Sequence, residues 1–175
     1  MSKAMFESEV EDMCLDMFRK LGYDIVYGPD ISEGGLSEER KYHEVVLINR
    51  LRQALRRINR SVPESAIDEA VRKVLRAESQ NLVSNNQDFH RLVTNGVNIQ
   101  YKRADGSIKN ELVWLFDFDN PDNNEFLAVN QFTIIEEHNN RRPDILLFVN
   151  GLPLVLIELK NPADENATVW SAYNQ

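Results

Sequence analysis

Asp144, Glu158 and Lys160 are the residues whose types and spacing point most directly to chemistry. They bracket the strongest strand signal in the chain, Asp144 to Lys160, in which two apolar runs flank Asn150-Gly151 and both outer ends are charged. A sheet interior rarely accepts Glu and Lys beside Leu-Val-Leu-Ile unless something pairs with them. Glu158 and Lys160 lie two apart, so on a strand they share a face. Carboxylates and an ammonium at the end of a buried strand suit a hydrolytic metal site. The carboxylates bind Mg²⁺, and the lysine orients and polarises the attacking water. A strand-end salt bridge is the plainer reading of the same three residues.

Register tests the arrangement. A strict two-residue turn at Asn150-Gly151 would set Asp144 opposite Ile157 and away from Glu158. A three-residue loop, Asn150-Gly151-Leu152, would pair Val149 with Pro153 and bring Asp144 opposite Glu158. The spacing therefore predicts the longer loop or an equivalent bulge.

The elements that must position these residues are legible in outline. Met5, Phe6, Val10, Met13, Cys14, Met17, Phe18 and Leu21 make one helical stripe ended by Gly22. Tyr23 to Tyr27 reads as a short strand, and 28–35 as a loop. Residues from about 37 to 83 read as a helical hairpin, with stripes at Val45, Leu47, Ile48, Leu51, Leu55, Ile58 and at Val62, Ala66, Ile67, Ala70, Val71, Val74, Leu75. Ser61-Val62-Pro63-Glu64 resembles a capping box with an early proline. Strands follow at 97–102, 107–119 and 126–136, the first two joined by Ala104-Asp105-Gly106. The run 166–175 reads as the start of a helix. This order predicts an α/β or α+β fold with a mixed sheet.

Composition sets the outer bounds. The length fits one domain, with or without a small helical insert. Hydrophobic residues are 42% and charged residues 27% of the chain, ordinary for a globular protein. The absence of a long apolar run and of an apolar leader points to the cytoplasm. Cys14 has no partner for an internal disulfide. The net charge of −8 argues against tight, autonomous nucleic-acid binding, because phosphate contact needs Lys and Arg. The charge is uneven, however: residues 50–76 hold eight basic against three acidic residues, a net +5 that leaves −13 for the rest. The arginines of that stretch are expected on the outer faces of the hairpin. His43, His90 and His138 lack metal-ligand spacing.

Pro143-Asp144, thirteen residues, then Glu158-Leu159-Lys160 resembles the PD-(D/E)xK nuclease motif. More specific are the words around it: Phe89 to Val97, Asp117 to Pro121, Asn123 to Phe132, Arg142 to Asp144, Phe148 to Pro153 and Glu158 to Pro162. Together they resemble the restriction (R, motor) subunit of type I restriction-modification enzymes, over roughly Phe6 to Gln175. The resemblance implies a restriction-endonuclease-like mixed sheet flanked by helices, with a helical-hairpin insert at about 37–83 and a nuclease core at about 5–27 and 90–175. It implies Mg²⁺, with Mn²⁺ as a substitute, held by Asp144 and Glu158, and a catalytic Lys160. In the mechanism expected on that basis the Leu159 carbonyl is a further metal ligand. It also implies a helix-borne glutamate, for which Glu11 fits best and Glu7 lies one turn earlier. Gln175 fits the first position of a Gln-x-x-x-Tyr motif. Arg141 and Arg142 are candidate phosphate contacts, explained equally well by solvent exposure. The implied partners are double-stranded DNA, the methyltransferase and specificity subunits, and the subunit's own motor domains. ATP belongs to that motor, since this chain contains no Gly-x-x-x-x-Gly-Lys-Ser/Thr loop. A repair or recombination nuclease of the same superfamily, and a docking module without catalysis, are the alternatives.

Overall fold

The computed structural model describes residues 7–76, 81–103, 106–137 and 139–160. The elements run α1 (Glu7–Lys20), β1 (Asp24–Tyr27), the single turn α2 (Gly28–Ile31), α3 (Ile48–Ile58), α4 (Glu64–Leu75), α5 (Leu82–Asn95), β2 (Val97–Lys102) and β3 (Ile108–Val113). After a 3-10 turn at Pro121–Asn123 come β4 (Phe126–Asn130), β5 (Ile134–Glu136), β6 (Asn139–Arg141), β7 (Ile145–Val149) and β8 (Leu152–Ile157). The chain divides into two compact units. One takes residues 1–45, 126–148 and 153–175, and the other takes 46–125 with 149–152.

The first unit holds a mixed sheet in the order β1-β4-β7-β8. β1 runs parallel to β4, pairing Ile25 with Ala128. The bonds Asn150 N–H to Glu125 O (2.9 Å) and Gln131 N–H to Asp144 O (2.9 Å) bracket β4 and β7 and set them antiparallel. Leu15 and Phe18 of α1 pack on Ala128, Ile145, Leu147 and Leu159, with Val10, Cys14, Tyr23, Ile25 and Ile157 around them. The helix buries a narrower stripe than its apolar residues suggest: Leu15 is inside, whereas Met13, Met17 and Leu21 are exposed. Alternation along β4 and β7 presents only one row of side chains to the helix, and that row selects its phase. Met5 and Phe6 lie outside the described residues.

The second unit packs Leu51 and Leu55 of α3 and Ala66, Ile67, Ala70 and Val71 of α4 against Val97, Ile99 and Val113 of the β2–β3 hairpin. Ile48, Leu51 and Leu55 of the first expected stripe and Val62, Ala66, Ile67, Ala70, Val71 and Val74 of the second line this core. Leu47 and Ile58 are not among its residues, Leu75 is exposed and Val45 belongs to the other unit. Residues 39–47 are irregular, and α3 begins only at Ile48. The expected capping box does not form. Pro63 occupies the cap position, proline has no side-chain acceptor to offer, and Glu64 instead accepts from Arg56 Nε at 2.8 Å. Arg52 meets Asp68 at 3.0 Å, so these outer-face arginines pair α3 with α4. β3 ends at Val113 because the Asn59 amide takes both main-chain groups of Trp114, its N–H at 2.8 Å and its carbonyl at 2.8 Å. Ala104 and Asp105 of the expected turn, and the expected helix at 166–175, lie outside the described residues.

Arg40 organises the irregular segment of the first unit. It is buried, and among the described residues no acidic side chain bonds its guanidinium, which donates to Glu44 O (2.6 Å), Ser32 Oγ (3.0 Å), Tyr42 O (2.8 Å) and Thr133 O (2.9 Å). The same guanidinium lies 3.9 Å from the centroid of the Phe132 ring. Burial pushes its pKa below the ordinary arginine value, opposed by the field of Glu44 and Tyr42.

Candidate functional site

The turn between β7 and β8 differs from the expected one. Asn150 and Gly151 both have positive φ, 54° and 79°, as a two-residue type I′ turn requires. β7 ends at Val149 and β8 begins at Leu152, so the three-residue loop Asn150-Gly151-Leu152 is corrected to a tight turn. The surroundings enforce it. The buried Asn150 side chain donates to Leu115 O (2.9 Å) and Asn124 Oδ1 (2.9 Å), and accepts from Glu125 N–H (2.8 Å). A Cβ on Gly151 would stand 2.5 Å from Leu47 O. Carried down both strands, this register would put Ile157 on the face opposite Ile145. Ile157 and Leu159 nevertheless pack in the same cluster as Ile145 and Leu147. Leu154, Val155 and Leu156 between them are all exposed, so burial does not alternate along β8.

The regular strand stops at Ile157, and Glu158-Leu159-Lys160 continue as irregular chain. There the Asp144 carboxylate takes over from the ladder: its Oδ2 accepts the Leu159 N–H at 2.7 Å. Asp144 thus sits against the main chain of the Glu-x-Lys segment, with half-buried Glu158 and Lys160 flanking the point of contact. Leu159 itself is anchored in the core beneath α1.

Glu11 lies in the same unit, linked to the same sheet end through residues that spacing alone did not single out. Asn130 Nδ2 donates to Glu11 Oε1 at 2.7 Å, and Gln131 Nε2 donates to Oε2 at 3.0 Å. Gln131 has a φ of 55° and ends β4 where a longer strand to Glu136 was expected. The signal for these two residues is a polar Asn-Gln pair closing the apolar run Phe126–Val129, inside one of the words that carry the family resemblance.

Arg141 and Arg142 are exposed immediately before the buried Pro143. Gln175 and the side chain of Glu7 lie outside the described residues. Among the described residues, no group of three or more His, Cys, Asp and Glu is gathered closely enough to hold a metal ion. No described helix is long and apolar enough to cross a membrane. Asp144 and Glu158 carry carboxylates and Leu159 a main-chain carbonyl, oxygen groups of the kind a hard divalent cation takes.

A mixed sheet with α1 packed against it and further helices is the architecture of the restriction-endonuclease-like α/β class. The chain belongs to the family of type I restriction enzyme R protein N termini, whose model matches residues 5–175. It is 40% identical over 171 residues to the type I restriction enzyme HindI endonuclease subunit of Haemophilus influenzae, covering 97% of this chain and 16% of that one. It is 30% identical over 168 residues to the putative type I restriction enzyme MjaIXP endonuclease subunit of Methanocaldococcus jannaschii, covering 94% of this chain and again 16% of that one. The chain therefore spans 16% of the length of each of these relatives.

Proposed function

We propose that this chain is the DNA-cutting domain of a type I restriction subunit, a metal-dependent endonuclease hydrolysing phosphodiester bonds in unmodified DNA. The observation that carries the reading is the hydrogen bond from Leu159 N–H to Asp144, which joins the two halves of the PD-(D/E)xK pattern. Asp144, Glu158 and the Leu159 carbonyl would hold Mg²⁺, or Mn²⁺ in its place. That cation supplies Lewis-acid charge at the scissile phosphate and lowers the pKa of water.

The chain's own residues supply the rest. The Leu159 N–H holds one oxygen of Asp144 in place, so the carboxylate is oriented before substrate arrives. Lys160 would donate hydrogen bonds from Nζ to the attacking water and to the phosphoryl oxygen on which charge builds. Glu158, one residue before the Leu159 contact, brings the second carboxylate. Arg141 and Arg142 would meet DNA phosphates on the approach to Asp144.

Cutting takes place in the cytoplasm within a larger assembly. The relatives are about six times longer, and the resemblance to type I R subunits implies methyltransferase and specificity subunits as partners, with ATP-driven motor domains on the R chain. The acidity of this chain fits DNA delivered by those other parts. The test is Lys160→Ala in the complete assembly, assayed on unmodified circular DNA with ATP and Mg²⁺. Cleavage is lost while assembly and unfolding are unchanged, and cleavage at the wild-type rate refutes the assignment.

A further inference from the structure

We propose that Gln131 is a positioning residue of this site, tying the Glu11 carboxylate to the Asp144 main chain. The inference rests on the nuclease reading above and goes beyond it in giving Glu11 and the end of β4 a defined task. Gln131 makes two contacts in opposite directions. Its backbone N–H donates to the Asp144 carbonyl at 2.9 Å, and its side-chain Nε2 donates to Glu11 Oε2 at 3.0 Å. Asp144 in turn holds Leu159 N–H. One continuous path therefore runs from α1 through Gln131 and Asp144 to the Glu-x-Lys segment.

The backbone of Gln131 is what makes the convergence possible. Successive residues of a regular strand point to opposite faces, so the amides of Asn130 and Gln131 should not reach the same group. Yet both reach the two oxygens of one carboxylate. The positive φ of Gln131, 55°, breaks the alternation at that residue. A non-glycine residue in the left-handed region is held there by its surroundings, and such strain gathers at functional sites. With both oxygens accepting from side-chain amides, Glu11 is fixed in orientation and acts through Gln131 on Asp144 rather than on substrate.

The test uses the full-length subunit in its assembled enzyme. It reads the Mg²⁺ concentration for half-maximal cleavage of circular DNA, Mn²⁺ binding by electron paramagnetic resonance without DNA, and thermal unfolding. Gln131→Gly keeps the left-handed backbone open and deletes the whole side chain with its amide, and Gln131→Asn keeps a left-handed-tolerant residue with a shorter reach. Both are expected to raise the half-saturating Mg²⁺ and weaken Mn²⁺ binding by about tenfold to a hundredfold, the usual range for residues that orient ligands, with unfolding near wild type.

Glu11→Gln and Gln131→Glu are each impaired, the first because a neutral amide binds the Gln131 amide more weakly than a carboxylate does and the second because carboxylate faces carboxylate. The pair Glu11→Gln with Gln131→Glu restores both hydrogen bonds and recovers to within about threefold of wild type, because coupled partners are not additive. Wild-type metal dependence in Gln131→Gly, alongside inactive Asp144→Asn, overturns the proposal. So does a swapped pair as impaired as Glu11→Gln alone, which would make the charge at position 11 itself the requirement. Wild-type cleavage by Asp144→Asn overturns the nuclease reading and this inference with it.

Discussion

The Asp144 carboxylate accepts the Leu159 N–H at 2.7 Å, across fourteen intervening residues of sequence and just past the last regular residue of β8. A side chain at the start of one strand thus completes the hydrogen bonding of its neighbour's end. The contact gives Asp144 a structural duty besides its proposed role in metal binding, and substitutions separate the two. Asp144→Asn retains an oxygen acceptor for Leu159 but loses the charge. Its unfolding free energy from urea titration should stay within about 0.5 kcal/mol of wild type, as for a substitution that keeps its main contact. Cleavage in the assembled enzyme should fall roughly a thousandfold or more. Asp144→Ala should lose cleavage equally and cost a further 1–2 kcal/mol or so, because the Leu159 amide is left without its acceptor.

Gly151 tests the tight turn. Alanine there faces both a φ of 79° and main-chain atoms of Leu47 and Leu51 at 2.5 and 2.8 Å. Gly34 has a similar φ of 80°, but a Cβ there meets nothing within 4 Å among the described residues. Gly34→Ala should therefore cost about 1 kcal/mol, the left-handed penalty alone. Gly151→Ala should cost about 3 kcal/mol or more, since backbone must also move. Equal losses in parallel denaturant titrations would show that the close approach at Leu47 is absent.

Arg40→Lys should destabilise the chain by roughly 3 kcal/mol despite keeping the charge. The planar guanidinium reaches four oxygen acceptors on three segments, and one ammonium cannot. Limited proteolysis is the sharper readout: residues 39–47 should become cleavable in the variant before the helices of the other unit do.

Asp117 makes an acid-side prediction. Hydrogen bonds from Asn123 Nδ2 (2.7 Å) and, less strongly, Asn120 N–H (2.8 Å) hold its pKa below the ordinary aspartate value. A carboxyl with a lowered folded-state pKa stabilises the fold above its unfolded value, near about 3.9. That contribution disappears as pH falls through the lower folded value. Asp117→Asn should therefore be the less stable protein at pH 6, and the gap to wild type should close below about pH 4. A pH-independent gap in thermal unfolding would count against this linkage.

How far the sequence speaks differs from residue to residue. The helical stripes of α3 and α4, the extended runs of β4, β7 and β8, and the Asp144, Glu158, Lys160 pattern follow from periodicity and residue type, which are local properties of the chain. The phase of α1 did not follow, because Met13, Met17 and Leu15 are equally apolar and only the row offered by Ala128, Ile145 and Leu147 chooses among them. Nor did the turn at Asn150-Gly151. Asn-Gly favours the tight form locally, but counting residues to align Asp144 with Glu158 favoured a longer loop. The tertiary surroundings decided for the tight turn through the Asn150 amide bonds and the close approach of Leu47 to Gly151.

The meeting of Asp144 with Leu159, and of Glu11 with Asn130 and Gln131, depends on groups far apart in sequence held by a side-chain acceptor and a left-handed backbone. Sequence by itself determined which residues carry charge at the end of an apolar hairpin, because composition and spacing are written directly in it. Only the folded chain decided which of those charges touch. Long-range hydrogen bonds and a single positive φ are settled by packing, not by any neighbour in the chain.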